Sequence, residues 1–328
     1  VKIIRNLKVP TGNILVVSGK LGQLELLSLA DYGQAVNLNQ NKAVEDGTPL
    51  LPLAEKWVIT ISTQYGCSMG CSFCDVPKVG KGINATYEDL RDQVITGLAL
   101  HPEVKETKRL NIHFARMGEP SWNTETLTFA RNLREEVRPY VGNSLVHPVV
   151  STMMPRYNLG LFDYVKEWME IKNHVYDGDA GLQLSINSTS DSERYSMFSG
   201  NAHTLAYISR FMGEIERPKG RKITLNFAVA GYEIDARKLK DLFDPQYFIC
   251  KLTPMHKTTE ATENGIETAG DYTTPYPYLE TAKELREAGF DVLTFIASKD
   301  EDEGRVTCGN AILSGTLPHK YEELEVGY

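Results

Sequence analysis

The chain has 328 residues, 41% of them hydrophobic, which is enough to bury a large core, and it carries a net charge of −8. That acidity excludes a protein whose whole surface tracks phosphates, because such a surface needs clustered Lys and Arg. No apolar run approaches the ~20 residues that span a bilayer, residues 1–10 lack the layout of a signal peptide, and five cysteines, three in one loop, make a poor disulfide framework. A soluble, cytoplasmic chain with a metal site in a reducing compartment is expected.

In chain order, residues 13–17 and 23–29 flank a Gly-containing turn and read as a β-hairpin. Residues 37–51 are mostly polar, contain a Gly-Thr-Pro turn and read as a linker. From Trp57 the rhythm changes to strand then helix: a strand at 58–62 is followed by a helix capped by Thr86 and running to about Leu100. Further strands are expected at 109–115, 145–151, 181–186, 222–228, 247–252 and 291–297, with helices at 124–134, 161–171, 203–212, 236–242 and 278–288. Such alternation argues for βα units and a parallel sheet. The fold class is α/β, and six or seven units favour a partial (β/α)6 TIM-like barrel over an open doubly wound sheet, as no GxGxxG follows the first strand. Three parts are expected: 1–55 as hairpin extension and linker, 56–300 as barrel, and 301–328 as a C-terminal segment carrying Cys308.

The loop Gly66-Cys67-Ser68-Met69-Gly70-Cys71-Ser72-Phe73-Cys74 spaces three cysteines as C-x3-C-x2-C. Clusters are usually held by four thiolates, so Cys67, Cys71 and Cys74 would ligate three irons of a [4Fe-4S] cluster and leave the fourth open. S-adenosylmethionine (SAM) fits that iron through its amino and carboxylate groups. A zinc site is the alternative, but it wants a second Cys or His pair, and Cys250 and Cys308 each stand alone. With Phe73 before its third cysteine, the loop resembles that of the radical SAM superfamily.

In barrels of parallel strands the chemistry sits at the strands' carboxyl ends. There stand Arg116-Met117-Gly118-Glu119-Pro120, Ser151-Thr152, Leu184-Ser185-Ile186-Asn187 and Thr253-Pro254-Met255-His256. Glu119 is placed to accept from the SAM ammonium, and the hydroxyls of Ser151 and Ser185 to bond its carboxylate or ribose. The plain alternatives are an ordinary turn, serines serving local turns and a surface histidine. Two basic stretches, Lys78 with Lys81 and residues 217–222, read as solvated loops.

Together these motifs resemble the RlmN/Cfr family, radical SAM enzymes that methylate an adenine ring carbon in RNA. The matching stretches are Ser62-Thr63-Gln64-Tyr65-Gly66-Cys67, Met117 to Pro120, Ser151-Thr152, Leu182 to Ser188, and Cys308-Gly309 after the acidic Asp300 to Glu303. The resemblance implies a [4Fe-4S] cluster and SAM, with Phe73, Gly118, Glu119, Ser151, Ser185 and His256 on the SAM side. It implies Cys308 as the methyl carrier, a flavodoxin or ferredoxin as reductant, an RNA or smaller substrate, no membrane, and a monomer. Departures accompany it. Thr60 stands where the family has a second cysteine, and a hydroxyl cannot release an adduct by forming a disulfide. Cys250 lies in an apolar run and reads as buried and inert. His256 replaces an asparagine, and the family's helical N-terminal domain has no counterpart in these residues. Two functions are therefore expected in competition: methyl or methylene transfer through Cys308 to an sp2 carbon of a nucleobase, or direct hydrogen abstraction from a small molecule or peptide. A binding module without turnover leaves the open iron and Glu119 without purpose.

Overall fold

The computed structural model describes residues 1–32, 41–43, 49–267, 278–296, 299–315 and 321–326. The chain opens with an antiparallel meander of β1 (Lys2–Val9), β2 (Gly12–Ser18) and β3 (Gln23–Leu29). The expected hairpin is thus two strands of three. β1 was legible only weakly, because of its eight residues just Leu7 and Val9 are buried. β4 (Asn41–Ala43) falls inside the expected linker, so that stretch is not wholly irregular; residues 37–40 and 44–48 of it lie outside the described residues.

The barrel follows as β5 (Trp57–Ile61), β6 (Gln64–Gly66), β7 (Lys81–Asn84), α1 (Tyr87–Ala99), β8 (Leu110–Phe114), α2 (Glu125–Val141), β9 (Val146–Thr152), α3 (Leu161–Glu170) and β10 (Gly181–Ser185). It continues as α4 (Asp191–Met197), α5 (Leu205–Gly213), β11 (Ile223–Val229), α6 (Ala236–Leu242), β12 (Phe248–Pro254), α7 (Thr259–Glu263), α8 (Tyr278–Glu287) and β13 (Asp291–Ile296). α9 (Lys299–Glu303) and β14 (Glu323–Leu324) end the described chain. α1 begins where its sequence says it should: Thr86 Oγ1 accepts from Asp89 N at 3.2 Å while Asp89 Oδ2 accepts from Thr86 N at 3.0 Å, a reciprocal capping box.

One sheet of 12 strands runs β14-β1-β2-β3-β5-β8-β9-β10-β11-β12-β13-β4. From β5 to β13 the neighbours are parallel and follow chain order. A doubly wound sheet would reverse direction at a switch point; this one winds steadily, as a barrel does, and among the described residues its end strands do not meet. β3 pairs antiparallel with β5, which makes the meander a continuation of the barrel sheet.

The two faces of this sheet differ. Trp57, Ile59 and Ile61 turn outward into one core with Leu90, Val94 and Leu98 of α1. The inward positions include Thr60, His113, Ser151, Gln183, Asn226 and Lys251, all only half-buried. Barrel interiors are ordinarily filled by branched apolar side chains; a polar lining does not pack, and it leaves a cavity. Among the described residues no helix is long and apolar enough to cross a membrane.

Candidate active site

β6 and β7 pair antiparallel and carry between them the loop with the three cysteines. Cys67 N donates to Gly80 O at 3.0 Å, and Gly66, at φ +77°, has no room for a Cβ, which would come within 2.2 Å of that same oxygen. The far side of the loop is fixed by three separate elements. Ser72 N donates to Met197 O at 3.0 Å, Thr258 Oγ1 to Phe73 O at 2.8 Å, and Asp75 N to Gly309 O at 2.8 Å. The buried Asp75 carboxylate in turn accepts from Thr259 N and Glu260 N at 3.1 and 2.8 Å.

At the carboxyl ends of the strands lies a cavity of about 320 Å³. Cys67, Cys71, Cys74, Phe73, Gly118, Glu119, Ser151, Ser185, His256 and Cys308 all line it, so every site residue expected from the sequence shares one space. Burial raises the Cys67 thiol to about 11 and raises Cys71 and Cys74 well above the ordinary range, with neighbouring thiols the next cause for both. Thiolates crowded this way repel each other unless cations lie among them, which is what a cluster's irons supply. Among the described residues no group of three or more His, Cys, Asp or Glu is arranged to hold a metal ion; a four-iron cluster distributes its thiolates over separate irons, and the donor set fits that requirement.

Glu119 is buried and oriented from several sides. Its Oε1 accepts from Ser121 N and Ser121 Oγ at 3.1 and 2.7 Å, and its Oε2 from Met153 N at 3.0 Å. Burial pushes this carboxyl up, and those donors oppose it. Gly118 is there for backbone reasons: at φ +98° a Cβ would come within 2.6 Å of Gln64 Cβ. Gln64 Oε1 accepts from Glu119 N at 3.0 Å while its Nε2 donates to Asn84 Oδ1 at 2.8 Å, so Gln64 ties the Met-Gly-Glu-Pro turn to the cysteine hairpin. Ser151 Oγ accepts from Gln183 Nε2 at 3.1 Å. Phe73 meets Phe198 edge-on at 5.9 Å. His256 Nδ1 lies 3.1 Å from Asp302 Oδ1, which ties it to the C-terminal segment.

Cys308 reaches the cavity from that segment. It is exposed, and its surface opens on the cavity, whose walls desolvate it enough to raise the thiol while Lys251 and Arg116 pull the other way. The segment is clamped by a buried ion pair that the sequence reading missed. Arg116 Nη2 donates to Glu25 Oε1 at 3.1 Å and Arg116 Nη1 to Arg305 O at 2.8 Å. Glu25 also accepts from Ile312 N and Leu313 N at 3.0 and 3.1 Å. The available signals were charges out of place: Glu25 in the run Leu24-Glu25-Leu26-Leu27, and Lys251 in Ile249-Cys250-Lys251-Leu252.

No family model matches the chain. It is 28% identical over 265 residues to the dual-specificity RNA methyltransferase RlmN of Sorangium cellulosum (strain So ce56), covering 79% of this chain and 62% of that protein. It is 29% identical over 192 residues to RlmN of Anaeromyxobacter dehalogenans (strain 2CP-C), covering 57% and 48%. The chain thus spans less than two thirds of the length of these relatives. Among solved structures, a radical SAM methyltransferase from Sphaerobacter thermophilus superposes with a TM-score of 0.62 at 19% identity, over 94% of this chain and 80% of that one. The chain is thus similar in sequence to RlmN proteins and similar in fold to a radical SAM methyltransferase.

In this RlmN-like chain the position of the second family cysteine is Thr60, paired in register with His113 on β8. Cys250 is fully buried on the other face of β12, and desolvation pushes its thiol far up, as expected of an inert packed group. Of five cysteines, therefore, four line the cavity and the fifth does not reach it. The two basic stretches are more engaged than solvated loops. Lys78 pairs with Glu260 and Glu263 at 3.0 and 2.9 Å, Lys222 with Asp291 at 2.7 Å, and Arg217 lies over the Tyr247 ring at 4.7 Å.

Proposed function

We propose that this protein is a radical SAM enzyme that delivers a one-carbon unit through Cys308 to an sp2 carbon of a nucleobase, in RNA or in a smaller substrate. Cys67, Cys71 and Cys74 would hold a [4Fe-4S] cluster with SAM at its open iron. When bound and reduced, that pair supplies the hydrogen-abstracting chemistry. Glu119 would orient the SAM ammonium through whatever acceptor capacity its protein donors leave, and Ser151 and Ser185 would meet the carboxylate or ribose. A flavodoxin or ferredoxin would provide electrons, as befits a cytoplasmic, monomeric enzyme.

The observation that carries this reading is the meeting of Cys308 with the three loop cysteines in one cavity. A thiol there can take a methyl group from a sulfonium and then hold it facing the abstracting group. Mass spectrometry of protein isolated with SAM tests it: a methyl or methylene mass on the Cys308 peptide is expected, lost in Cys308→Ala. Unmodified Cys308 together with undiminished product from Cys308→Ala would refute the carrier role. One observation favours the second reading, direct hydrogen abstraction from a small molecule or peptide. With Thr60 in the strand and Cys250 buried, no fifth thiol reaches the cavity to release a Cys308 adduct.

A further inference from the structure

Lys251 sits mid-way along β12 on the inward face and lines the cavity. Among the described residues its ammonium makes no hydrogen bond and no ion pair; its one polar contact is the Phe295 ring, 5.5 Å from Nζ to centroid. Other cations around the barrel are compensated: Arg116 by Glu25 at 3.1 Å, Lys56 by Asp31 at 2.9 Å, and Lys222 by Asp291 at 2.7 Å. The wall carboxylates are engaged elsewhere, Glu119 with Ser121 and Met153, and Glu301 with a partner of its own. Burial lowers the Lys251 ammonium, Cys308 raises it, and Arg221 and Lys56 add to the positive field.

The neighbouring strand extends the pattern. Asn226 on β11 is the register partner of Lys251, and it also faces the cavity. Its side-chain amide makes no hydrogen bond among the described residues. Adjacent strands lie about 4.8 Å apart, so an ammonium and an amide, both unsatisfied, stand side by side in the wall. Lys251 is half-buried and without a counter-charge, and two adjacent donors that face a cavity with no protein acceptor are the chemistry that receives an oxyanion.

We propose that the cavity accepts a small-molecule substrate bearing an oxyanion, a phosphate or a carboxylate, which pairs with Lys251 and Asn226. This rests on the function proposed above and narrows its substrate class. The site lies inside the barrel, below the strand ends, where a terminal anionic group of a small molecule enters more readily than a mid-chain phosphodiester.

Amine acetylation of the cluster-loaded protein, with Lys251 followed by mass spectrometry, tests the site without turnover. Inorganic phosphate or acetate, against chloride at equal ionic strength, is expected to slow Lys251 labelling about tenfold or more relative to Lys78, as a charge-assisted hydrogen bond implies. Which anion protects better identifies the group. Equilibrium dialysis should then give adenosine 5′-monophosphate about tenfold tighter binding than adenosine, with the preference lost in Lys251→Met and partly kept in Lys251→Arg. Protection by neither anion overturns the proposal. So does protection by SAM alone, or a Lys251→Met variant that loses SAM and keeps the nucleotide preference, since either assigns Lys251 to the SAM carboxylate. If phosphate protects Lys251 while neither adenosine nor its monophosphate binds, the oxyanion site stands and the nucleobase reading fails.

Discussion

Removing the Glu25 carboxylate tests how the Cys308 segment is held. Glu25 and Arg116 are both buried, and Glu25 accepts from Arg116 Nη2, Ile312 N and Leu313 N. Glu25→Ala leaves a buried guanidinium with no counter-charge, and breaking such a pair costs about 3–5 kcal/mol. It also orphans two backbone donors. Arg116→Met is milder, because Glu25 keeps its two N–H donors; about 1–3 kcal/mol is expected. The double variant Glu25→Leu with Arg116→Met should recover part of the Glu25→Ala loss, since a buried charge no longer stands alone. Urea unfolding gives the three values, and limited proteolysis between residues 305 and 313 reports the segment itself. A Glu25→Ala loss below about 1 kcal/mol, the range of an exposed pair, with unchanged proteolysis, would refute the clamp.

Anaerobic reconstitution should load about four irons per chain in the native protein and far fewer in Cys71→Ala; one tightly held zinc in place of iron would contradict the cluster assignment. Ser151→Ala is expected to weaken SAM binding roughly tenfold with stability little changed, measured by calorimetry. Glu119→Ala should weaken it further and also destabilise the fold, because Met153 N–H loses its acceptor; SAM affinity unchanged from the native protein in both variants removes them from the site. Burial pushes His113 down to about 3. The folded protein then holds it neutral while the unfolded chain protonates it below about 6.5. Its contribution is complete above pH 6.5 and is lost as pH falls toward 3, with a slope of at most about 1.4 kcal/mol per pH unit. His113→Asn should flatten that decline in acid-titrated urea unfolding, and an unaltered slope would count against an imidazole held neutral in the half-buried barrel wall.

What the sequence revealed was whatever local spacing encodes. The C-x3-C-x2-C loop, the Met-Gly-Glu-Pro turn and the Thr86 capping box are each complete within a few residues, and strand-helix alternation with six or seven units and no GxGxxG favours a barrel. β1 was missed because its buried side chains cluster at one end, and β4 because three residues are too few to carry a periodic signal. The Glu25 clamp was illegible for a different reason: its partners Ile312 and Leu313 lie 287 and 288 residues away. Lys251 was visible as a charge in an apolar run, but only the barrel's geometry reveals that the groups around it do not answer that charge. Gly118 and Glu119 were read as ligand contacts, whereas the turn also uses them to hold Gln64 and Met153 in place.

The distance between Glu25 and its C-terminal partners has a consequence for synthesis. During translation the meander and the cysteine hairpin emerge early and can settle against the first barrel strands. The wall that bears Cys308 arrives only after about 220 further residues have been added beyond the hairpin's end at Asn84, and Ile312 lies 287 residues from Glu25. Long-range closures of this kind form late. The nascent barrel therefore has a period in which its three loop thiols stand open on the side that Gly309 later covers through Asp75. Iron supplied in that interval would meet the thiols before the Cys308 segment covers them.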